Sequence, residues 1–146
     1  MIREAEISDI PRLSGLAKVF TESSKFVNVD ETVFRRTWRT ALEAGYGKVF
    51  ISEKDGEVNG AIGAVASADA VDGKLTVHEM FWIVSPDARE TGVGSGLLYL
   101  LEQWARKIGA EKLIMVHMLD LMPEAVAKIY EKNGFVPMEV NYLKEL

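Results

Sequence analysis

The chain has 146 residues and a formal charge of −5, with 48% hydrophobic and 27% charged residues and no cysteine. That length and mix suit a core that closes without staples, so residues 1–146 are expected to form a single domain. The lack of cysteine excludes disulfides, thiolate metal sites and a cysteine nucleophile, and the acidic balance argues against a nucleic-acid surface, which needs clustered Lys and Arg.

In chain order, Ile2-Arg3-Glu4-Ala5-Glu6-Ile7 alternates as a half-buried strand does, and Ser8-Asp9 offers an N-cap before Pro11. The first helix is striped by Ile10, Leu13, Ala17 and Phe20. Residues 21–30 form a polar connection whose Phe26 is expected to plug the loop into the core, with contact to a substrate as the alternative. A second helix, from about Glu31 to Glu43, carries Phe34, Trp38, Ala41 and Leu42 on one face. Residues 48–52 and 57–65 read as a hairpin turned by Asp55-Gly56, and Gly60 and Gly63 mark a bulge or a close backbone neighbour.

Residues 77–84 are apolar and aromatic behind a polar entrance, His78-Glu79, and Ser85-Pro86-Asp87 stops them, a strand signal. From Leu97 the stripe Leu97, Leu101, Trp104 and Ile108 is helical, and Gly109 caps it. Residues 112–119 are a continuous apolar run, expected as a strand buried on both faces. Asp120 and Pro123 open a last helix through Lys132, Gly134 caps it, and residues 135–143 close as a final strand or strand pair. No apolar run approaches the ~20 residues that span a bilayer, and Met1-Ile2-Arg3-Glu4 has no signal-peptide character, so no membrane and a cytoplasmic location are expected.

Between the central strand and its helix lies Arg89-Glu90-Thr91-Gly92-Val93-Gly94-Ser95-Gly96. A helix N-terminus exposes backbone N–H groups and partial positive charge, and glycines there let phosphate oxygens approach without meeting a Cβ. A diphosphate is the tenant this chemistry favours, although glycines can also serve a tight turn alone. The dinucleotide fingerprint Gly-x-Gly-x-x-Gly differs from the Gly-x-Gly-x-Gly found here, and the chain behind the loop is too short for repeated strand–helix units.

This pattern resembles the GCN5-related N-acetyltransferase (GNAT) superfamily, whose acyl-CoA loop reads Arg/Gln-x-x-Gly-x-Gly/Ala. Arg89 to Gly94 match it position for position, Val84-Ser85-Pro86 precedes it as the family's Val-x-Pro does, and Ile129-Tyr130-Glu131-Lys132-Asn133-Gly134-Phe135 is similar to the family's Leu-Tyr-Glu-Lys-x-Gly-Phe signature. The resemblance implies an α/β (α+β) fold: a mixed, mainly antiparallel sheet flanked by helices, with central strands splayed to admit acetyl-CoA. It implies that Arg89, Glu90, Thr91, Gly92, Val93, Gly94, Ser95 and Gly96 hold the cofactor's phosphates. It also implies that the main chain of Phe81, Trp82, Ile83 and Val84 pairs with the pantetheine arm and polarises the thioester carbonyl.

Transfer to a primary amine needs a proton acceptor, because at a pKa of ~10.4 only about one amine in a few thousand is free base at neutral pH. Glu79 is the first candidate and His78 the second. Adjacent strand residues face opposite ways unless a bulge intervenes, so the sequence leaves the choice open. The resemblance makes Tyr130 the general acid that protonates the departing thiolate. No metal is expected, since His78 and His117 lie on separate strands; His117 reads as a core or rim residue.

The reading is therefore an N-acetyltransferase acting from acetyl-CoA on an amine of a small molecule or protein, with no nucleic-acid partner and a possible homodimer through the apolar tail 140–146. One departure stands out: many relatives have Asn seven residues before the tyrosine, and here that place is Pro123. A non-catalytic acyl-CoA sensor is the alternative this departure supports. An acetyltransferase acting on aminoacyl-tRNA is a third, which the acidic charge opposes.

Overall fold

The computed structural model describes residues 1–121 and 123–146, with the side chain of Pro123 outside the described part. The chain divides into two compact units, Met1–Val116 and His117–Leu146.

The first unit is built on a five-stranded sheet in the order β1-β2-β3-β4-β5, from β1 (Ile2–Glu4), β2 (Gly47–Lys54), β3 (Glu57–Ala68), β4 (Leu75–Val84) and β5 (Lys112–Ile114). The first four pair antiparallel and β5 joins β4 in parallel, as the mixed sheet expected. The β2–β3 hairpin turns at Asp55-Gly56, whose φ values of 53° and 82° are both left-handed. That is the two-residue turn whose twist matches antiparallel strands.

Helices α1 (Ile10–Thr21) and α2 (Glu31–Ala44) cover one face, packing Leu13, Trp38 and Ala41 on Val49, Ile51 and Ala61. Helix α3 (Val93–Lys107) covers the other, packing Leu97, Leu101 and Ala105 on Phe50, Ile62, Ala64 and Val77. The interiors of β2 and β3 are thus buried on both sides, which explains their near-continuous apolar sequence. Asp30 caps α2 by accepting from the Val33 amide at 3.0 Å. At the end of α3, the Ala110 amide reaches the Ala105 carbonyl and that of Gly109, φ 79°, reaches Arg106, a left-handed cap of the kind Gly109 signalled.

Three local expectations change. Asp9 does not cap α1 with its side chain. It is buried and accepts both Nη groups of Arg3, at 2.7 and 2.9 Å, the Glu6 amide at 2.8 Å, and Arg12. Two guanidiniums outbid a helix amide because charge-assisted bonds are the stronger ones. Phe26 is 48% exposed, with the Lys25 ammonium 5.0 Å above its ring, so it does not plug the core. The strand expected over 112–119 stops at Ile114, and the residues that follow are partly to well exposed. Its pairing with β4 ends at His78–Ile114, where the two chains part.

In the second unit, α4 (Pro123–Lys132) ends in the same kind of cap. The Phe135 amide donates to the Tyr130 carbonyl at 3.0 Å and the Gly134 amide to Glu131 at 3.1 Å, with Gly134 at φ 80°. The apolar contact that accompanies such caps is the Tyr130–Phe135 ring pair, centroids 5.4 Å apart. The motif at residues 130–135 is therefore, physically, a helix stop with its own hydrophobic clasp. The expected closing strand is absent among the described residues: 135–146 have no regular structure, and Val136, Met138, Val140 and Tyr142 are exposed. Alternating residues make a strand only where a neighbour supplies backbone partners.

Candidate active site

Glu79 and His78 part company on β4. By register His78 lies opposite Val65, on the side of α1 and α2, whereas Glu79 lies opposite Ala64, on the side of α3. The ladder then jumps from Ala64–Glu79 to Gly63–Phe81, leaving Met80 as an unpaired extra residue, 58% exposed. With strict alternation Phe81 would share the face of Glu79. The bulge sends its ring instead to Trp38 and Phe34, at centroid distances of 4.9 and 5.6 Å. Gly63 makes this possible, since a Cβ there would stand 2.3 Å from the Phe81 ring. The sequence marked Gly63 for a bulge or a close backbone neighbour; the ladder slips beside it, and what comes close is a ring rather than a backbone.

Glu79 is 5% exposed, and its Oε2 accepts the Val116 amide at 2.9 Å. Burial disfavours its charge and the amide favours it; burial dominates and pushes its pKa up to about 7. A carboxyl poised at neutral pH beside a strand opening is suited to taking a proton from an amine. His78 is half-buried.

Beyond β4, Arg89 donates Nε to the Val84 carbonyl at 3.2 Å, and Thr91 donates its hydroxyl to Ala88 at 2.5 Å, folding the loop over the strand end. Glu90 holds a left-handed φ of 63°, a conformation costly for a side chain other than glycine, and Gly92, at φ 89°, is the N-cap of α3. The helix begins at Val93 rather than near Leu97, so Val93, Gly94 and Ser95 form its first turn. Their amides have no carbonyl one turn earlier to accept them. The Gly96 amide is already spent on the Gly92 carbonyl at 2.9 Å.

The glycines divide accordingly. A Cβ on Gly94 would make only ordinary contact, 3.4 Å from Trp82, so packing does not require this glycine. A Cβ on Gly96 would stand 2.5 Å from Ile2 Cδ1, and one on Gly60 2.8 Å from Val93 Cγ1. Those two let α3 lie close on the sheet. Gly96, expected at the cofactor, thus has a packing task and no free amide, while Phe81, Trp82, Ile83 and Val84 lead straight into the loop.

In the second unit, Tyr130 is buried, with the His117 and Phe135 rings beside it at centroid distances of 6.4 and 5.4 Å. One feature of the site escaped the sequence, the Val116 amide, which has no local signal; the bulge was signalled at Gly63, but not that its extra residue is Met80. A cleft of about 490 Å³ at the other end of the sheet, lined by Glu4, Leu42, Tyr46, Lys48, Trp104 and Ile108 among others, holds none of the expected site residues.

A first helical turn with free amides, reached from a bulged strand that carries a buried carboxylate, is an arrangement with known counterparts. The Acetyltransferase (GNAT) family model matches residues 14–135. The chain belongs to the GNAT acetyltransferase family. It is 29% identical over 142 residues to an amino-acid acetyltransferase of Azotobacter vinelandii, covering 97% of this chain and 29% of that protein. It is 27% identical over 97 residues to the uncharacterized N-acetyltransferase YobR of Bacillus subtilis, covering 66% of this chain and 36% of that one. The chain thus spans about a third of the length of the curated relatives it matches. Among solved structures, an aminoglycoside N-acetyltransferase in complex with CoA superposes with a TM-score of 0.81 at 19% identity, covering 100% of this chain and 93% of that one. At such identity the likeness shows the fold. GNAT acetyltransferases use acetyl-CoA, and no described helix of this GNAT chain is long and apolar enough to cross a membrane.

Proposed function

We propose that the protein transfers an acetyl group from acetyl-CoA directly to the primary amine of a small molecule or protein. The observation that carries this reading is the buried Glu79, pushed up to about pKa 7, on the strand that runs into the free amides of α3. Acetyl-CoA supplies the acyl group and a thiolate leaving group. The residues fit it: the amides of Val93, Gly94 and Ser95 with the positive end of a 15-residue helix suit a pyrophosphate, and Gly94 keeps the approach clear.

In this reading Arg89 holds the loop to the end of β4 and adds charge for the phosphates, and the main chain of Phe81 to Val84 holds the pantetheine arm, a backbone amide there polarising the thioester carbonyl. Glu79, ionised, takes the proton that the amine must lose, directly or through water. Tyr130, assigned by the family's motif, returns a proton to the departing sulfur. His78, on the other face of β4, is the weaker base candidate.

The likeness to an amino-acid acetyltransferase favours a free α-amino acid as the first acceptor to try. The test is calorimetry with acetyl-CoA followed by thiol release on mixing with a panel of L-amino acids, polyamines and lysine peptides. Binding with acceptor-dependent thiol release is the expected outcome. No binding at millimolar acetyl-CoA would end the proposal, and binding without release on any amine would favour the sensor, a reading to which Pro123 in the family's Asn place lends some support.

A further inference from the structure

The cleft of about 490 Å³ at the far end of the sheet has no part in acetyl transfer, yet its volume is that of a small-molecule site. It lies wholly within Met1–Val116. β4 begins there at Leu75 and reaches the phosphate loop only past Val84, so the cleft and the candidate active site stand at opposite ends of one strand.

Charge around the cleft is one-sided. α2 ends here, with Leu42 and Gly45 in the wall, and so does α3, with Trp104 and Ile108. A helix C-terminus carries partial negative charge. Arg106 and Lys107 offset it in the last turn of α3, whereas the last turn of α2 has no basic residue. Glu4 and Glu6 add two carboxylates. Lys48 is the only cation among the described lining residues; it is paired with Glu4, and its Nζ stands 5.9 Å from the centroid of the Trp104 ring. The chain thus seats an ammonium of its own between a carboxylate and an aromatic face. Glu6 and Tyr46 supply the same two components without a cation. Among the described residues Glu6 makes no ion pair, and no cation lies over the ring of Tyr46, a residue 44% exposed.

We propose that this cleft is a binding site for a small organic cation, its ammonium drawn by the Glu6 carboxylate and the Tyr46 ring and its apolar body resting on Leu42, Leu75 and Ile108.

The other ligand classes fit less well. An anion would find only the Lys48 ammonium, already matched by Glu4, and would face Glu6 and the end of α2. A hard metal ion asks for several oxygen ligands together, and among the described residues no three carboxylates or imidazoles converge. An aromatic wall suits an organic ammonium, which the electron-rich ring face attracts. The opening is also shaped by local demands of the chain. A Cβ on Gly47 would stand 2.6 Å from Ala41 Cβ, so a side chain there would push the end of α2 off β2. Gly45, at φ 79°, turns the chain so that Tyr46 follows directly into the wall.

The test uses benzyltrimethylammonium, which has no N–H and cannot serve as an acetyl acceptor, with benzyl alcohol and benzoate as its neutral and anionic counterparts. In amide NMR spectra of the whole protein, the cation should give saturable shifts at Gly45, Tyr46, Gly47 and Ala66 and leave Gly92 to Ser95 in place. Benzyl alcohol and benzoate should bind at least about fivefold more weakly. Glu6→Gln and Tyr46→Leu should each weaken the cation about threefold, and Tyr46→Phe, which keeps the ring, should bind as the parent does. Lys48→Met removes the competing ammonium and releases Glu4 and Trp104, so it should tighten binding about threefold. Thermal melts and acetyl-CoA titrations on each variant confirm that the fold is kept. No saturable shift at the cleft, equal binding of benzyl alcohol, shifts at Gly92 to Ser95 instead, or weaker binding in Lys48→Met would each overturn the proposal. Because the probe cannot be acetylated, the result stands apart from whether the protein transfers acetyl groups.

Discussion

Glu79 Oε2 accepts the Val116 amide at 2.9 Å, two residues past the point where β5 stops pairing with β4. The bond ties the Glu79 side chain to the chain just beyond β5, where main-chain pairing has ended. Because the acceptor is a side chain, the main chains of β4 and β5 are free to diverge. The same group thus terminates the sheet and stands ready for proton transfer.

Glu79→Gln separates these tasks. The amide oxygen can still accept from Val116, but it cannot take a proton, so kcat should fall about 10²- to 10⁴-fold with the fold intact. In the unaltered protein the rate should rise tenfold per pH unit below about 7 and level off above it; in the variant this limb should vanish. A pH–rate series on both proteins checks this, and an unchanged acid limb in Glu79→Gln would assign the base elsewhere.

The same carboxyl sets a stability signature. Its folded pKa of about 7 lies above the ordinary 4.5, so the folded state holds the proton more tightly. Stability from this group is complete at low pH and is lost as pH rises from about 4.5 to 7, by about 3 kcal/mol at most. Urea titrations should therefore find Glu79→Gln more stable than the parent at pH 8 and equal to it near pH 4. Equal stabilities at both would mean that burial does not raise this group.

Gly94→Ala and Gly60→Ala should behave differently. A Cβ at 94 meets Trp82 at an ordinary 3.4 Å, so thermal stability should hold while affinity for CoA drops about tenfold as the methyl blocks the phosphate's approach. A Cβ at 60 meets Val93 at 2.8 Å and Leu97 at 3.2 Å, so α3 must shift, costing about 1–3 kcal/mol. Calorimetry with CoA and thermal melts together check both; an equal loss of stability in the two variants would refute the division.

Asp9→Asn should be the most destabilising conservative change on the α1 side. It removes the charge that meets Arg3 and Arg12 beneath the β2–β3 turn, where both guanidiniums also reach Glu53. The Arg3 guanidinium holds the Asp9 carboxyl well below the usual range, so this stability is present at neutral pH and lost only under strongly acid conditions, as pH falls through that depressed value. About 2–4 kcal/mol is expected by denaturant titration at pH 7, reduced in part by the exposure of both arginines.

Arg89→Ala should weaken CoA binding about fivefold and flatten its salt dependence, since the guanidinium anchors the loop at Val84 and adds charge there. Binding measured at two ionic strengths decides it.

What the sequence determined by itself is local: the Asp55-Gly56 turn, the caps at Gly109 and Gly134, and a glycine loop that leads into a helix. Each is a demand on a few consecutive residues, such as a left-handed φ or a start of helix, and needs no distant partner to be read. Family membership followed because two such devices are its motifs. Tertiary structure decided the rest. That Glu79 rather than His78 is buried on the α3 side depends on register with β3, that Phe81 turns to Trp38 depends on the extra residue Met80, and that 135–146 form no strand depends on partners from elsewhere. Register, burial and the proton affinity that burial sets belong to pairs of residues far apart in the chain, and alternation along one strand carries no record of them.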